Sequence, residues 1–455
     1  MTAPSRTRPV ASLIAGTVLA LGATLLATPA DAHQAPAERR NANPTGTASG
    51  SARNGTGNLK VHLAATNDGR IKVTWERSRR VAGFKRVAVQ VSPSRKMNVK
   101  VKSYRVSRKR RTLVVRHAFG AVPASGNYSF VKVVGYRRDG SKTASPAKWI
   151  QAPITAPCTA AAQDQVTVAA FNVRSWAADR HLGPTLNWTL RGDNAVSEIL
   201  RSGAHALAIQ EASGSERLEF GSRPQRRWIL DRLNEVDPDP AATWVDALDD
   251  EAYRPPKGRR PGLVGTRVFY DASKFRKLDS GLERIVDPAF NKDSLIAWAR
   301  LQSVSGDQAP FVLTSNHLRV GVVGSRKEWE IRARQVNQTI AILRSLQSRF
   351  GNQVILGGDL NSTANTLPYN NVHQALMNAG FYDAYATTSI VGGQYPTTQD
   401  SKFPVYRTPL RRDYLLSLGQ AKGSCGYRNQ TYHSRAQIAS DHFLQVATLP
   451  LPPLG

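Results

Sequence analysis

Between residues 166 and 450 the chain falls repeatedly into strand-length apolar runs: VTVAAFNV, ALAIQE, TRVFYD, LIAWARLQ, FVLTSNHL, VILGGDLN, DYLLSL and FLQVATL. Runs of this length, bounded by polar and turn-forming residues, read as strands. Between them lie segments with a helical period, most plainly GDNAVSEILRSG and SRKEWEIRARQVNQTIAILRSLQSRFG. In the second, Ile331, Val336, Ile340 and Leu343 fall at near-helical spacing and Gly351 closes the helix. Strands alternating with helices confine residues 154–455 to a layered α+β domain with a substantial core.

The chain has 455 residues, more than one core usually serves, and its N-terminal third reads differently. Arg6 and Arg8 precede an apolar run from Val10 to Ala27, and Ala30-Asp31-Ala32 offers a small-residue cleavage site before His33. Residues 1–32 are therefore expected to be a secretory signal peptide, with an uncleaved anchor as the alternative. The cleaved protein would be extracellular, without an integral membrane segment, and a monomer. Residues 33–57, rich in Ala, Gly, Asn, Pro, Ser and Thr with no apolar period, read as a flexible linker. From 58 to 153, short alternating runs such as RIKVTWE and RVAVQVS are separated by turn signals such as Asn67-Asp68-Gly69, the pattern of an all-β sandwich.

The formal charge of +29 is unevenly placed. Residues 58–153 carry 23 Lys and Arg against three acidic residues, a net of +20, whereas 154–455 carry a net of only +6. A domain so basic is expected to seek a polyanion: nucleic acid, anionic lipid or an acidic wall polymer. Cys158 and Cys425 are the only cysteines, and an oxidising compartment would allow them to pair, tying the start of the second domain to a segment near its end. Free thiols are the alternative.

The run VILGGDLNS ends in a carboxylate and an amide two positions apart. In an extended chain Asp359 and Asn361 would lie on one face, whereas a Gly-Asp turn with an asparagine cap is the plainer reading. Other apolar runs end the same way: Asn172 in AAFNVR, Glu211 in AIQEAS, His317 in SNHLRVG, Asp413 in RRDYLLS, and Asp441 with His442 in ASDHF. Each has an ordinary explanation alone. Asn172 would serve as a strand-end cap, Glu211 as a surface acid, Asp413 as a partner of Arg411 or Arg412, and His317 as a satisfied core histidine.

Taken in order, FNVR, QE, NHL, GDLNS, RRDYLL and SDHF resemble the motifs of the endonuclease/exonuclease/phosphatase superfamily, over about residues 166 to 450. The resemblance implies a four-layer α/β/β/α sandwich like that of deoxyribonuclease I, with the site at one end of two sheets. It implies that Asn172 and Glu211 hold a divalent metal with Asp441 in or near its sphere, oxygen ligands suiting Mg²⁺, Mn²⁺ or Ca²⁺. Asp413 would orient His442, as general base or phosphate stabiliser. Asp359 and Asn361 would position water and phosphate, and His317 would protonate the leaving oxygen. Arg319 is a candidate for a substrate phosphate, as is the RTPLRR stretch of residues 407–412. Residues 58–153 in turn resemble a fibronectin type III domain, in Trp75 on an early strand and in GNYSFVKVVGYRRDGSKTASPA. That resemblance implies an immunoglobulin-like binding or spacer module.

Gln210-Glu211 is followed by Ala212-Ser213-Gly214 rather than the threonine or serine and lysine of abasic-site endonucleases, which also lack the histidine that His317 supplies. The expected function is accordingly that of a secreted metal-dependent nuclease, the basic domain concentrating nucleic acid beside the active site. A sphingomyelinase-like phospholipase C or a phosphomonoesterase would use the same groups. A phospholipase would need an exposed aromatic hairpin, for which GFYDAY around Phe381 is the nearest candidate. A non-catalytic polyanion-binding protein would have lost motif residues that are all present here.

Overall fold

The computed structural model describes residues 59–454 apart from 67–69, 77–83, 94–95, 99, 108, 119–127, 152–157, 182–186, 213–223, 249–259, 262–264, 287–291, 320–325, 364–370, 399–404 and 406–410. The expected signal peptide and linker lie outside the described residues. No described helix is long and apolar enough to cross a membrane.

The first lobe is built from β1 (Val61–Ala65), β2 (Arg70–Trp75), β3 (Phe84–Ser92), β4 (Lys102–Val106), β5 (Thr112–Arg116), β6 (Tyr128–Arg137), β7 (Lys142–Ala144) and β8 (Lys148–Gln151). Alternation along RIKVTW turns Ile71, Val73 and Trp75 inward and leaves Arg70 and Lys72 exposed. One sheet has the order β1-β2-β5; the other runs β4-β3-β6-β7, with β8 also paired to β6. Their inner faces meet in a core that includes Leu63, Ile71, Val73, Trp75, Val89, Val131 and Val133.

The second lobe comprises β9 (Gln165–Asn172), α1 (Trp188–Ser202), β10 (Ala206–Gln210), α2 (Gln225–Val236), β11 (Trp244–Asp246), β12 (Arg260–Pro261), β13 (Arg267–Asp271), β14 (Phe275–Val286), β15 (Lys292–Ser303) and β16 (Phe311–His317). It continues with α3 (Arg326–Phe350), β17 (Gln353–Asp359), α4 (Asn371–Asn378), β18 (Tyr382–Asp383), β19 (Ile390–Val391), β20 (Asp413–Leu418), β21 (Gly426–Gln430) and β22 (Leu444–Pro450). These strands form two seven-stranded sheets, β11-β13-β10-β9-β22-β21-β19 and β12-β15-β16-β17-β20-β18 with β14 on β15.

Successive residues of each central strand point to opposite faces, and both faces are covered. Between the sheets lie Val168, Ala170, Ala208, Leu313, Ile355 and Leu415. Phe171, Leu207 and Ile209 pack instead with Val196 and Ile199 of α1 and Ile229 and Leu233 of α2. Val354, Leu356 and Leu416 pack with Val336 and Leu343 of α3 and Leu376 of α4. The layers are thus helix, sheet, sheet, helix, as expected. Asn187 caps α1 by accepting from the Leu190 N–H, and Gly203 ends it with a φ of 65°.

Cys158 and Cys425 form a disulfide across 267 positions of sequence. The Cys425 N–H donates to the Thr448 carbonyl, and Thr448 pairs with Thr167 close to where β9 begins. Phe130 of β6 belongs to the same cluster as Val166, Leu449 and Leu451, with Met97 and Trp149 packed beside it. The first lobe thus packs on the second through a cluster that includes Phe130. The motif residues lie at the opposite end of β9 from Thr167.

Candidate active site

Residue alternation brings the motif side chains together. On β9, Val166, Val168 and Ala170 face the second sheet, and the next position in that series is Asn172. On β16 the series Phe311, Leu313, Ser315 leads to His317; on β17 Ile355 and Gly357 lead to Asp359; on β20 Leu415 is preceded by Asp413. In register, His317 lies opposite Asp359 and Asp359 opposite Asp413. The inter-sheet core thus runs directly into a polar row at one end.

The paired glycines of GGDLNS have separate reasons. A Cβ on Gly357 would come within 2.6 Å of the Ala208 Cβ, so the sheets approach closely there, and one on Gly358 would strike the Asn316 carbonyl oxygen at 2.1 Å. Beyond them the chain turns: the Asn361 N–H donates to Asp359 Oδ1 at 2.8 Å, and Asn361 has a φ of 48°. Asp359 and Asn361 are therefore joined by a turn rather than by strand alternation. Glu211 follows β10 with a φ of 60°, and Arg174 follows β9 with a φ of 55°. Three left-handed non-glycine residues at the site are backbone strain of the kind that persists where function needs it.

The Asn172 amide nitrogen donates to Glu211 Oε1 at 2.9 Å and to Asp359 Oδ2 at 3.2 Å, while its oxygen accepts from the Arg174 N–H. His317 Nε2 lies 3.8 Å from Glu211 Oε1 and 3.6 Å from Asp359 Oδ2. The Asn361 amide nitrogen lies 3.2 Å from His317 Nε2 and donates to the Leu318 carbonyl. On the other flank His442 Nδ1 meets Asp413 Oδ1 at 2.9 Å, leaving Nε2 3.6 Å from Asp359 Oδ2. Asp359 thus sits between two imidazoles.

Burial sets the electrostatics. It pushes the Asp359 carboxyl up from its ordinary value, reinforced by the Asp413 charge and opposed by His442 and His317. For Glu211 burial acts the same way, but the His317 charge, the Ser175 N–H and the Asn172 amide outweigh it and hold the carboxyl below its usual range. Burial would lower the His442 imidazole, yet the charges of Asp413 and Asp359 hold it well above the usual value. Glu211, His317 and Asp359 present ligand atoms within 4.8 Å of one another, as do Asp359, Asp413 and His442. Carboxylates gathered in so confined a place fit a hard divalent cation.

Two expected ligands stand differently. Asn172 is turned to clamp Glu211 against Asp359, its oxygen committed to Arg174. Asp441 Oδ2 is bound by the Arg174 guanidinium, outside both groups of prospective ligands. Asp359, expected to position water, also offers a carboxylate oxygen within 4.8 Å of ligand atoms of Glu211 and His317. Arg319 lies two residues past His317, half-buried, its N–H donating to Gln335 Oε1. Arg411 of the RTPLRR stretch is buried and bonded to Asp383, so it is not a substrate contact; residues 407–410 lie outside the described residues. Phe381 and Tyr385 of GFYDAY are buried, which leaves them no role as a membrane-facing tip.

Sequence reasoning missed the supports. Arg174 binds both Asp441 and Asp179, and the buried Arg191 binds Asp179 and the carbonyls of Val173, Arg174 and Ala439, fixing the turn after β9. The Thr397 hydroxyl accepts from the N–H groups of Arg412 and Asp413, and the Thr398 hydroxyl donates to Asp413 Oδ2. Only the arginine of FNVR and the paired threonines of YPTTQD mark these in the sequence.

No protein-family model and no curated protein matches the chain. Solved structures do resemble it. An endonuclease/exonuclease/phosphatase from Bacteroides vulgatus is 19% identical, over 63% of this chain and 99% of its own, with a TM-score of 0.47. A family member from Bacteroides thetaiotaomicron is 16% identical over 63% and 94%, with a TM-score of 0.44. The human nocturnin catalytic domain is 16% identical over 64% and 95%, with a TM-score of 0.44. In its own sheet architecture, in the order of its motifs and in the convergence of their side chains, the chain resembles the endonuclease/exonuclease/phosphatase superfamily.

Proposed function

We propose that the protein is a secreted phosphodiesterase that requires a divalent metal and acts on nucleic acid. The observation that carries the catalytic part is the row His317–Asp359–Asp413 with His442 bonded to Asp413, a set of proton-handling groups around a carboxylate cluster. Glu211 and Asp359 would hold the metal, which when bound polarises a phosphoryl oxygen and offsets developing charge. Asp413 fixes the His442 ring through Nδ1, so that Nε2 faces the cluster, charged to bind phosphate or, once relieved of its proton, to take one from water. His317 Nε2, on the opposite flank beside Asn361, is placed to give a proton to the leaving oxygen. Nucleic acid is favoured as substrate by the charge of the first lobe, and secretion by the basic-apolar-small pattern of residues 1–32.

Nicking of supercoiled plasmid by the purified protein with Mg²⁺, beside an EDTA control and the His317→Ala variant, tests this. Nicking that needs both the metal and His317 is expected. No nicking with Mg²⁺, Mn²⁺ or Ca²⁺ would overturn the nuclease and direct attention to phospholipid and phosphomonoester substrates.

A further inference from the structure

The bonded pair of Asp413 and His442 is drawn from two sheets. Asp413 opens β20, whereas His442 stands just ahead of β22, and these strands belong to different sheets. Backbone hydrogen bonds fix register within a sheet, but two packed sheets are held by their side chains. A bond of 2.9 Å from His442 Nδ1 to Asp413 Oδ1 therefore calls for a further link between the two segments.

Thr397 and Thr398 supply it. The Thr397 hydroxyl accepts from the N–H groups of Arg412 and Asp413 at 2.9 and 3.2 Å, while its carbonyl accepts from the Phe443 N–H at 2.9 Å. Thr398 forms an antiparallel bridge with His442. Its hydroxyl donates to Asp413 Oδ2 at 3.4 Å, long, as catalytic hydrogen bonds often are before substrate binds. The chain leading to the threonines is fixed in turn: the buried Asn429 amide donates to the Pro396 carbonyl at 2.9 Å, and its oxygen accepts from the Gln445 amide at 2.9 Å.

The two hydroxyls act differently. That of Thr397 is buried and satisfies two backbone N–H groups, so its loss would disturb folding. Thr398 is only half-buried, and its hydroxyl bears on the carboxylate. The last torsion of an aspartate is broad and two-fold, so a carboxylate held through one oxygen can rotate, and a donor on the other fixes its plane. His442 depends on that plane, because the bond at Nδ1 sets how Nε2 meets the cluster.

We propose that Thr398 is a positioning residue, holding the Asp413 carboxylate in the plane that keeps His442 Nε2 turned to the cluster. The proposal rests on the roles given to Asp413 and His442 above. Two measurements on the purified protein test it in wild type, Thr398→Val and Thr398→Ser. The first is the initial rate of plasmid nicking with Mg²⁺ over a range of plasmid concentrations. The second, without metal or substrate, is the low-field proton resonance of the His442 Nδ1–H, assigned by its absence from His442→Ala. Thr398→Val is expected to lower kcat about tenfold with KM unchanged and to shift or broaden the resonance. Thr398→Ser keeps the hydroxyl and should recover most of both. A valine variant with wild-type kcat or an unmoved resonance, a change in KM alone, a serine variant no better than valine, or no such resonance in the wild type overturns the proposal. A wild-type protein that nicks nothing defeats the nuclease reading instead, and the resonance in the three proteins still decides whether Thr398 orients the pair.

Discussion

Glu211 shows how much a single backbone conformation decides. By strand alternation it would follow Leu207 and Ile209 toward the helices, but its φ of 60° places its carboxylate against Asn172 and His317 instead. Gly265 makes that turn possible: a Cβ there would lie 2.8 Å from Glu211 Cα and carbonyl carbon, and the Ala212 N–H donates to the Gly265 carbonyl. Gly265→Ala should therefore move Glu211 without touching its chemistry. The expected result is a stability loss of about 1 to 3 kcal/mol, with a higher Mg²⁺ concentration needed for half-maximal rate; unaltered metal dependence would show that the turn does not rely on this close approach. His442→Ala and Glu211→Gln remove chemistry rather than position, and each should lower turnover by about 10²-fold or more with the thermal transition retained. Near-wild-type rates in either would mean that the catalytic groups lie elsewhere.

At the scale of elements, whatever was apolar and periodic was legible. The strand-length runs and both helices named from sequence are present, because each buries a continuous face against a neighbour. β14 was not legible: FRKLDSGLERIV alternates poorly, and its middle is half-buried along the edge of its sheet. The motif residues were readable because alternation delivers them to one row, whereas the orientation of Asn172 depends on Arg174 two residues on, and the pairing of Asp441 on the same arginine 267 positions away. The buried network behind β20 was equally hidden. Arg411 binds Asp383 through both terminal nitrogens, His373 Nε2 lies 2.9 Å from Asp383, and the Tyr414 hydroxyl donates to the Ser362 carbonyl and lies 2.9 Å from that of Arg411, joining the segments that carry Asp413 and Asn361. Burial would raise the Asp383 carboxyl, but Arg411 and His373 hold it far below its usual range. Asp383→Ala strands a buried guanidinium and should cost about 3 to 5 kcal/mol in urea unfolding; a loss under about 1 kcal/mol would show that water reaches Arg411.

Across the whole molecule, the two lobes should respond differently to conditions. The disulfide closes a loop of 267 positions, for which chain entropy allows roughly 5 kcal/mol as an upper figure. Cys158→Ser/Cys425→Ser should lower the thermal midpoint of the second lobe while leaving the cluster assembled; an unchanged midpoint would mean that the packing of β9 on β22 already holds that end. Acid should instead act on the first lobe. His117 is buried there with Nδ1 2.9 Å from Ser129 Oγ, and burial pushes its imidazole down from 6.5 to about 4. A lowered value in the fold means that the unfolded chain takes up the proton first. The contribution of His117 is therefore complete above about pH 6.5 and is lost as pH falls through about 4, by roughly 3 kcal/mol in all. His117→Gln cannot titrate, so its unfolding free energy should fall less steeply across that window than the wild type's, the two curves converging toward the acid side. Parallel curves would place the acid sensitivity in the carboxylates of the second lobe rather than in this histidine.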